Sequence, residues 1–197
     1  PRASRMHSPT NGLCNYAWEE SEFPATYVDA FNRSLTHITV VSNYVRKVLL
    51  DNGVRAPVTV SGDGVDHLLH VASRGPQERQ ASDGFCFLHV SSCFPRKGVD
   101  VLLEAFGRAF TSTDKVSLTI KTFPNIHNQI DHQLAGFHQR FPDAAPVILI
   151  NAEMDEVDLA DLYRRCDALA APSRGEGFGL PLAEAMLFEK PVITTAY

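Results

Sequence analysis

Long apolar runs are missing from this sequence. No stretch reaches the roughly eighteen consecutive apolar residues that a membrane-spanning helix requires. Concentrated positive charge is missing too: 18 Lys and Arg are scattered among 23 Asp and Glu, and the net charge is −5. A nucleic-acid groove needs a basic stripe, so no nucleic-acid partner is expected. The 4 cysteines, Cys14, Cys86, Cys93 and Cys166, form no CxxC pair and no zinc spacing. Cys86 in an apolar run and Cys166 near the end of an amphipathic stretch read as buried free thiols, which suits a reducing cytoplasm. Also absent are a Gly-Lys-Ser/Thr phosphate loop, a Gly-x-Gly-x-x-Gly after a first strand, and an Asp-x-Asp pair of the kind that holds a metal–diphosphate. There is no internal repeat and no low-complexity tract. The opening "PRASRMHSPTNGLC" has neither an initiator Met nor the charged start and apolar core of a signal peptide, so a fragment or a processed chain is expected.

What remains is the composition of an ordinary globular protein, 44% hydrophobic and 21% charged over 197 residues. One polar stretch, "VASRGPQERQASD" (71–83), separates two better-patterned regions and is the linker expected from composition. Before it, "ATYVDAFNRS" and "NYVRKVLLDNG" (43–53) predict helices, and "HITVV" (37–41) and "PVTVSG" (57–62) predict strands. After it the two types alternate. Strands are expected at 85–91, 116–122, 146–150, 167–173 and 191–195, and helices at 98–110, roughly 125–140, 155–166 and from Pro181. Short apolar strands spaced by helices are buried parallel strands. Right-handed crossovers then give an α/β, Rossmann-like, doubly wound parallel sheet over 84–197.

In such sheets ligands bind beyond the carboxyl ends of the strands, and two distinctive loops fall there. The later one is "APSRGEGFGLPLAEAM" (171–186). Pro181 suits a first helical turn, and the glycines let backbone amides face outward at a helix N-terminus, an arrangement that favours a phosphate. Glu184 lies about one turn inside that helix, where its carboxylate could accept hydrogen bonds from a ribose diol. Glu176, on the loop, could accept from sugar hydroxyls or stabilise developing positive charge. The plainer alternative is a glycine turn followed by carboxylates that merely stabilise a helix start. The earlier loop is "SSCFPRKGVD", with Arg96 and Lys97 just before a helix. Two cations there could neutralise a diphosphate and stabilise it as a leaving group; the alternative is a solvated surface pair. Cations sit poorly at the positive end of a helix dipole unless an anion joins them, which favours the first reading.

Together the two segments resemble the C-terminal domain of retaining glycosyltransferases of the GT-B fold, in the large family that includes sucrose synthase and many mannosyltransferases. "EGFGLPLAE" resembles that family's E-x7-E signature, and "FPRKGVDVLLEAF" its donor-phosphate loop. "ITVVSNYVRKVLLDNGV…VTVSGDGVD" resembles the close of the N-terminal domain. The resemblance implies residues 1–70 as the tail of a Rossmann-like N-domain, 71–83 as linker, and 84–197 as an incomplete nucleotide-sugar-binding C-domain. It implies that Glu184 binds the nucleotide ribose and that Glu176 contacts the transferred sugar. Backbone at Gly177, Phe178, Gly179 and Leu180 would meet sugar and diphosphate, and Lys97 with Arg96 would hold the phosphates. Glu176 and Lys97 would be the catalytic pair. The stretch 152–159 would lie near the base.

Many members place an Arg five positions before the lysine, where this chain has Ser92, and Arg96 is expected to stand in for it. "GDGVD" has Asp63 where Asn is usual, a change the turn can absorb. The activity implied is transfer of a sugar from a UDP- or GDP-sugar to a carbohydrate or glycolipid acceptor hydroxyl with retention of anomeric configuration. It would serve polysaccharide biosynthesis in the cytoplasm, with peripheral membrane association, no cofactor and no metal. This part of the enzyme alone is expected to be inactive. Two other readings stay open: a GT-B sugar-nucleotide epimerase, and a non-catalytic nucleotide-sugar-binding or scaffold subunit. His89 reads as a hydrogen-bonded core residue, while His67 and His70 border the linker. "NYAWEESEF" (15–23) reads as a packing or acceptor-side segment with Glu19, Glu20 and Glu22 on a solvated face.

Overall fold

The computed structural model describes residues 11–72 and 84–196, so residues 1–10, residue 197 and positions 73–83 of the expected linker lie outside the described residues. The chain divides into two compact units. The first runs to Gly64 and also takes in Gly175–Gly179; the second is Val65–Arg174 and everything from Leu180 onward.

In the first unit, β1 (Gly12–Tyr16), β2 (His37–Val40) and β3 (Val58–Val60) form a parallel sheet in the order β1-β2-β3. Helices α1 (Ala25–Ser34) and α2 (Asn43–Asp51) are the crossovers. Ser42 caps α2 by accepting from the Val45 amide, satisfying one of the donors every helix start leaves open. The core is built from Phe23, Phe31, Ile38, Val40, Val45 and Leu49. Tyr16, Trp18, Phe23 and Tyr27 meet edge to face, with centroids 4.9–6.4 Å apart. "NYAWEESEF" is therefore a packing segment of this unit, with Glu20 and Glu22 exposed and Glu19 half-buried. Strand β1 escapes sequence reading, because a five-residue strand with two exposed positions carries no readable period.

The second unit opens with α3 (Asp66–Ala72), a short helix also not anticipated. Val71 and Ala72, expected to begin the linker, form its last turn instead, because Val71 and Leu68 are wholly buried in the second unit's core. Strands β4 (Phe85–Val90), β5 (Val116–Thr122), β6 (Val147–Asn151), β7 (Ala168–Ala171) and β8 (Val192–Thr194) pair in parallel in the order β6-β5-β4-β7-β8. Successive residues of β4 point to opposite faces, as pleating requires. Phe87 joins a core with α4 (Val99–Ala109) and α5 (Ile130–Arg140). Leu88 joins the other core, with α3, α6 (Glu156–Arg165) and α7 (Leu180–Leu187). Both faces are covered, so this is the doubly wound parallel sheet expected from the strand–helix alternation.

Helix α5 begins at Ile130 rather than near 125. The Asn125 side chain accepts from the His127 amide and that of Asn128 from the Ile130 amide, side-chain bonds that replace a helical turn. The cysteines are free; Cys93 and Cys166 are buried and Cys86 partly so, but Cys14 on β1 is exposed. None of the described helices is long and apolar enough to cross a membrane.

Candidate functional site

The strand order of the second unit reverses between β4 and β7. From β4 the chain steps to β5 on one side; from β7 it steps to β8 on the other. Beyond such a reversal the two loops diverge, and open α/β sheets bind ligands there. Both loops singled out from the sequence leave the sheet at this point.

The loop after β4 is held from beneath. His89 is buried, with Nδ1 2.8 Å from the Ala170 carbonyl of β7 and Nε2 2.7 Å from Ser91 Oγ. A carbonyl only accepts, so Nδ1 carries the proton and Nε2 takes the Ser91 hydroxyl. Ser91 Oγ in turn accepts from the Cys93 amide at 3.0 Å, which fixes Cys93 in the left-handed region at φ 53°. Burial pushes the Cys93 thiol up. Ser92 presents its carbonyl to Asn125 Nδ2 at 3.2 Å. Pro95–Lys97 then makes one 3-10 turn that carries Arg96 and Lys97, both half-buried. Gly98 ends it at φ 71°, and a Cβ there would lie 2.0 Å from the Pro172 carbonyl oxygen. Only glycine permits this approach, which seats the cationic turn against the end of β7.

Arg174 clamps that seat, a residue sequence reading passed over. Its amide donates to the Arg96 carbonyl at 2.7 Å. Its guanidinium donates to the Pro95 carbonyl at 2.7 Å and in a fork to both Asp100 oxygens at 2.9 and 2.8 Å. Those hydrogen bonds hold the Asp100 carboxyl below its ordinary range. Lys121, at the carboxyl end of β5, is buried and gives Nζ to the Thr122 carbonyl at 3.0 Å, and burial lowers its pKa.

The glutamate signature is divided between the two units. Glu176, Gly177, Phe178 and Gly179 belong with the first, although the sequence placed them in the second. A Cβ on Gly175 would sit 2.5 Å from the Glu19 carbonyl oxygen, and Phe178 packs against the first unit's core. Close backbone approach, rather than an outward-facing amide cradle, accounts for Gly175. Gly179 has φ 84° and leads into α7 at Leu180, one residue before the expected Pro181.

Glu184, on α7 in the second unit, is 4% exposed. A carboxylate that could accept from a ribose diol was expected there. Instead Oε2 accepts from the Tyr163 hydroxyl at 2.6 Å and Oε1 lies 2.9 Å from His67 Nε2. Burying a carboxylate is costly unless it is hydrogen-bonded, and these two donors meet that need. The Tyr163 hydroxyl is raised well above its ordinary pKa, by burial first and by the Glu184 charge next. The second unit thus holds Ser92, Arg96, Lys97, Leu180 and Glu184, and the first holds Glu176, Gly177, Phe178 and Gly179.

Residues 75–197 match the model of the family described as "Glycosyl transferases group 1". The chain belongs to the group 1 glycosyltransferases. A curated relative, an uncharacterized glycosyltransferase of Methanocaldococcus jannaschii, is 33% identical over 114 residues, which is 55% of this chain and 28% of that protein. Among solved structures, apo OtsA aligns over 93% of this chain and 52% of its own, with a TM-score of 0.72 and 14% identity. Anabaena HepE in complex with UDP and glucose aligns over 86% and 46%, with a TM-score of 0.67 and 23% identity. At these identities the likeness is one of fold, and that fold is GT-B. The chain spans only part of the length of each of these proteins.

Proposed function

We propose that this group 1 glycosyltransferase chain is the donor-binding part of a retaining enzyme that takes a sugar from a UDP- or GDP-sugar to a hydroxyl of a carbohydrate or glycolipid acceptor. The observation that carries the reading is the position of the cationic turn. Arg96 and Lys97 are fixed by Gly98, Arg174 and the His89–Ser91 relay at the point where the order β6-β5-β4-β7-β8 reverses. Ligands bind at such reversals, and two cations there match a diphosphate. Anabaena HepE, of the same fold, is bound to UDP and glucose.

In this reading Lys97 and Arg96, with Ser92 beside them, hold the diphosphate together with the backbone from Gly177 to Leu180. Glu184 accepts from the ribose, Glu176 faces the transferred sugar, and 152–159 lies by the base. The bond between the anomeric carbon and the phosphate oxygen breaks, and the nucleoside diphosphate leaves with the electron pair. The acceptor oxygen bonds to the same face of that carbon, and its proton passes to the departing phosphate. Positive charge on the sugar and negative charge on the phosphate develop together, so Glu176 and Lys97 are the catalytic pair. The cationic turn supplies the charge a metal would otherwise bring, and no other cofactor is required. We place the enzyme in the cytoplasm, in peripheral contact with the membrane where lipid-linked acceptors lie, in polysaccharide assembly.

Titration calorimetry with UDP and with GDP tests the reading. One of them should give saturable heat, and Lys97→Ala should weaken it by about tenfold or more, as expected for loss of a charge-assisted contact. A folded chain giving no heat with either nucleotide would overturn it in favour of a scaffold.

A further inference from the structure

Among the described residues, Glu184 is the one acidic side chain that the fold buries, and its surroundings are more specific than burial alone demands. The two oxygens are met from two different helices. Tyr163 on α6 gives its hydroxyl to Oε2 at 2.6 Å, and His67 on α3 faces Oε1 through Nε2 at 2.9 Å. An ionised carboxylate only accepts, so His67 must carry its proton on Nε2, and both partners donate. Neither donor is loose. Tyr163 is wholly buried and stacked on Phe188, with centroids 5.6 Å apart and planes 8° from parallel. His67 is anchored by its neighbour Leu68, wholly buried in the same core.

Two donors in fixed positions, one per oxygen, define the plane of a carboxylate. The two oxygens offer about four lone-pair sites, of which two remain for a ligand. Hydrogen bonds weaken steeply when misaligned, and an acceptor already fixed loses no rotamer freedom when a ligand arrives. We propose that Tyr163 and His67 are positioning residues. They hold the Glu184 carboxylate at the orientation in which its remaining lone pairs accept the ribose diol of the donor nucleotide. They thereby set the preference for a nucleotide whose ribose diol is intact. The proposal rests on the reading of Glu184 as the ribose acceptor and adds the two residues that make it one.

The test is calorimetry on the 197-residue chain with two ligand pairs, UDP against 2′,3′-dideoxy-UDP and GDP against 2′,3′-dideoxy-GDP. Pyrophosphate serves as a probe of the phosphate contacts alone. In the better-bound pair the diol form should bind about tenfold tighter or more, since loss of a bond to a charged acceptor has that size. Tyr163→Phe and His67→Ala should each reduce the ratio to about threefold, and His67→Gln, whose amide still donates, should restore most of it. Pyrophosphate affinity should be the same in all variants. A merely structural role would lower the unfolding temperature and leave the ratio alone. Because His67 is 34% exposed at its side chain, its variants report even if Tyr163→Phe does not fold. The inference is overturned if His67→Ala keeps the wild-type ratio while Glu184→Ala loses it. Should Glu184→Ala also keep the ratio, or the wild-type chain bind neither nucleotide, the ribose reading itself falls and takes the inference with it.

Discussion

The two glutamates of one short signature lie in different surroundings. Glu184 is fixed through its side chain: α7 buries it, and donors from α3 and α6 take one oxygen each. Glu176 is fixed through its backbone. It rides between Gly175, pressed to the Glu19 carbonyl, and Phe178, packed in the first unit's core, and its own side chain stays half-buried. A buried carboxylate with its orientation set suits recognition of an unchanging group such as a ribose. A carboxylate on a loop placed by close backbone approach suits a group that differs from donor to donor. Helix and loop can therefore be disturbed separately, and each disturbance should have its own size.

The largest effect is expected on the helix side. Tyr163→Ala removes a wholly buried ring stacked on Phe188 and deprives Glu184 of a donor. Aromatic-to-alanine changes in cores cost about 3–5 kcal/mol, and urea unfolding of the second unit should show a loss in that range. A loss below about 0.5 kcal/mol, the range of substitutions away from a core, would mean that the ring is not packed as described.

Why the helix side was the less legible of the two is instructive. Alternation of apolar runs revealed the second unit's five-strand sheet, with β5 at its observed bounds, because buried parallel strands are written as contiguous hydrophobic residues. The two loops could be found because Gly, Pro and paired charges have local meaning. His67 and Tyr163 could not. They lie 117 and 21 positions from Glu184, and only the fold brings them together. A lone His beside an expected linker and a Tyr in an amphipathic helix look like surface and core. Arg174 was hidden in the same way, since its partner Asp100 is 74 positions away. Contacts of that range leave no trace in spacing.

An intermediate effect is expected on the loop side. Gly175→Val places a branched side chain where a Cβ would already be 2.5 Å from a backbone oxygen. Overpacking of that kind costs about 1–3 kcal/mol. The protein's single tryptophan, Trp18, has its amide 3.4 Å from the position a Cβ on Gly177 would take, so its fluorescence should report the displaced loop. The comparison between the glutamates is sharpened if Gly175→Val shifts that emission and weakens UDP or GDP binding while the diol-to-dideoxy ratio that we assign to Glu184 is kept. It breaks if emission stays put and that ratio falls.

The smallest effect concerns Arg174, the residue that directly precedes Gly175. The Arg174 hydrogen bonds hold Asp100 below its ordinary value. A carboxyl with a depressed folded pKa adds stability that is complete above its unfolded value, about 3.9. That stability drains away as pH falls through the lower folded value. Both side chains are about half exposed, 49% and 51%, so water and salt screen the pair and its worth is about 1 kcal/mol or less. Arg174→Ala should therefore lower the urea midpoint slightly at pH 7 and by progressively less below about pH 4, where the protonated Asp100 has little left to lose. The carboxyl carbon of Asp100, followed by NMR titration, should move back toward the ordinary value in the variant. If instead the deficit of Arg174→Ala is undiminished in acid, the guanidinium acts through the Pro95 carbonyl, and the cationic turn owes its place to that neutral contact rather than to charge.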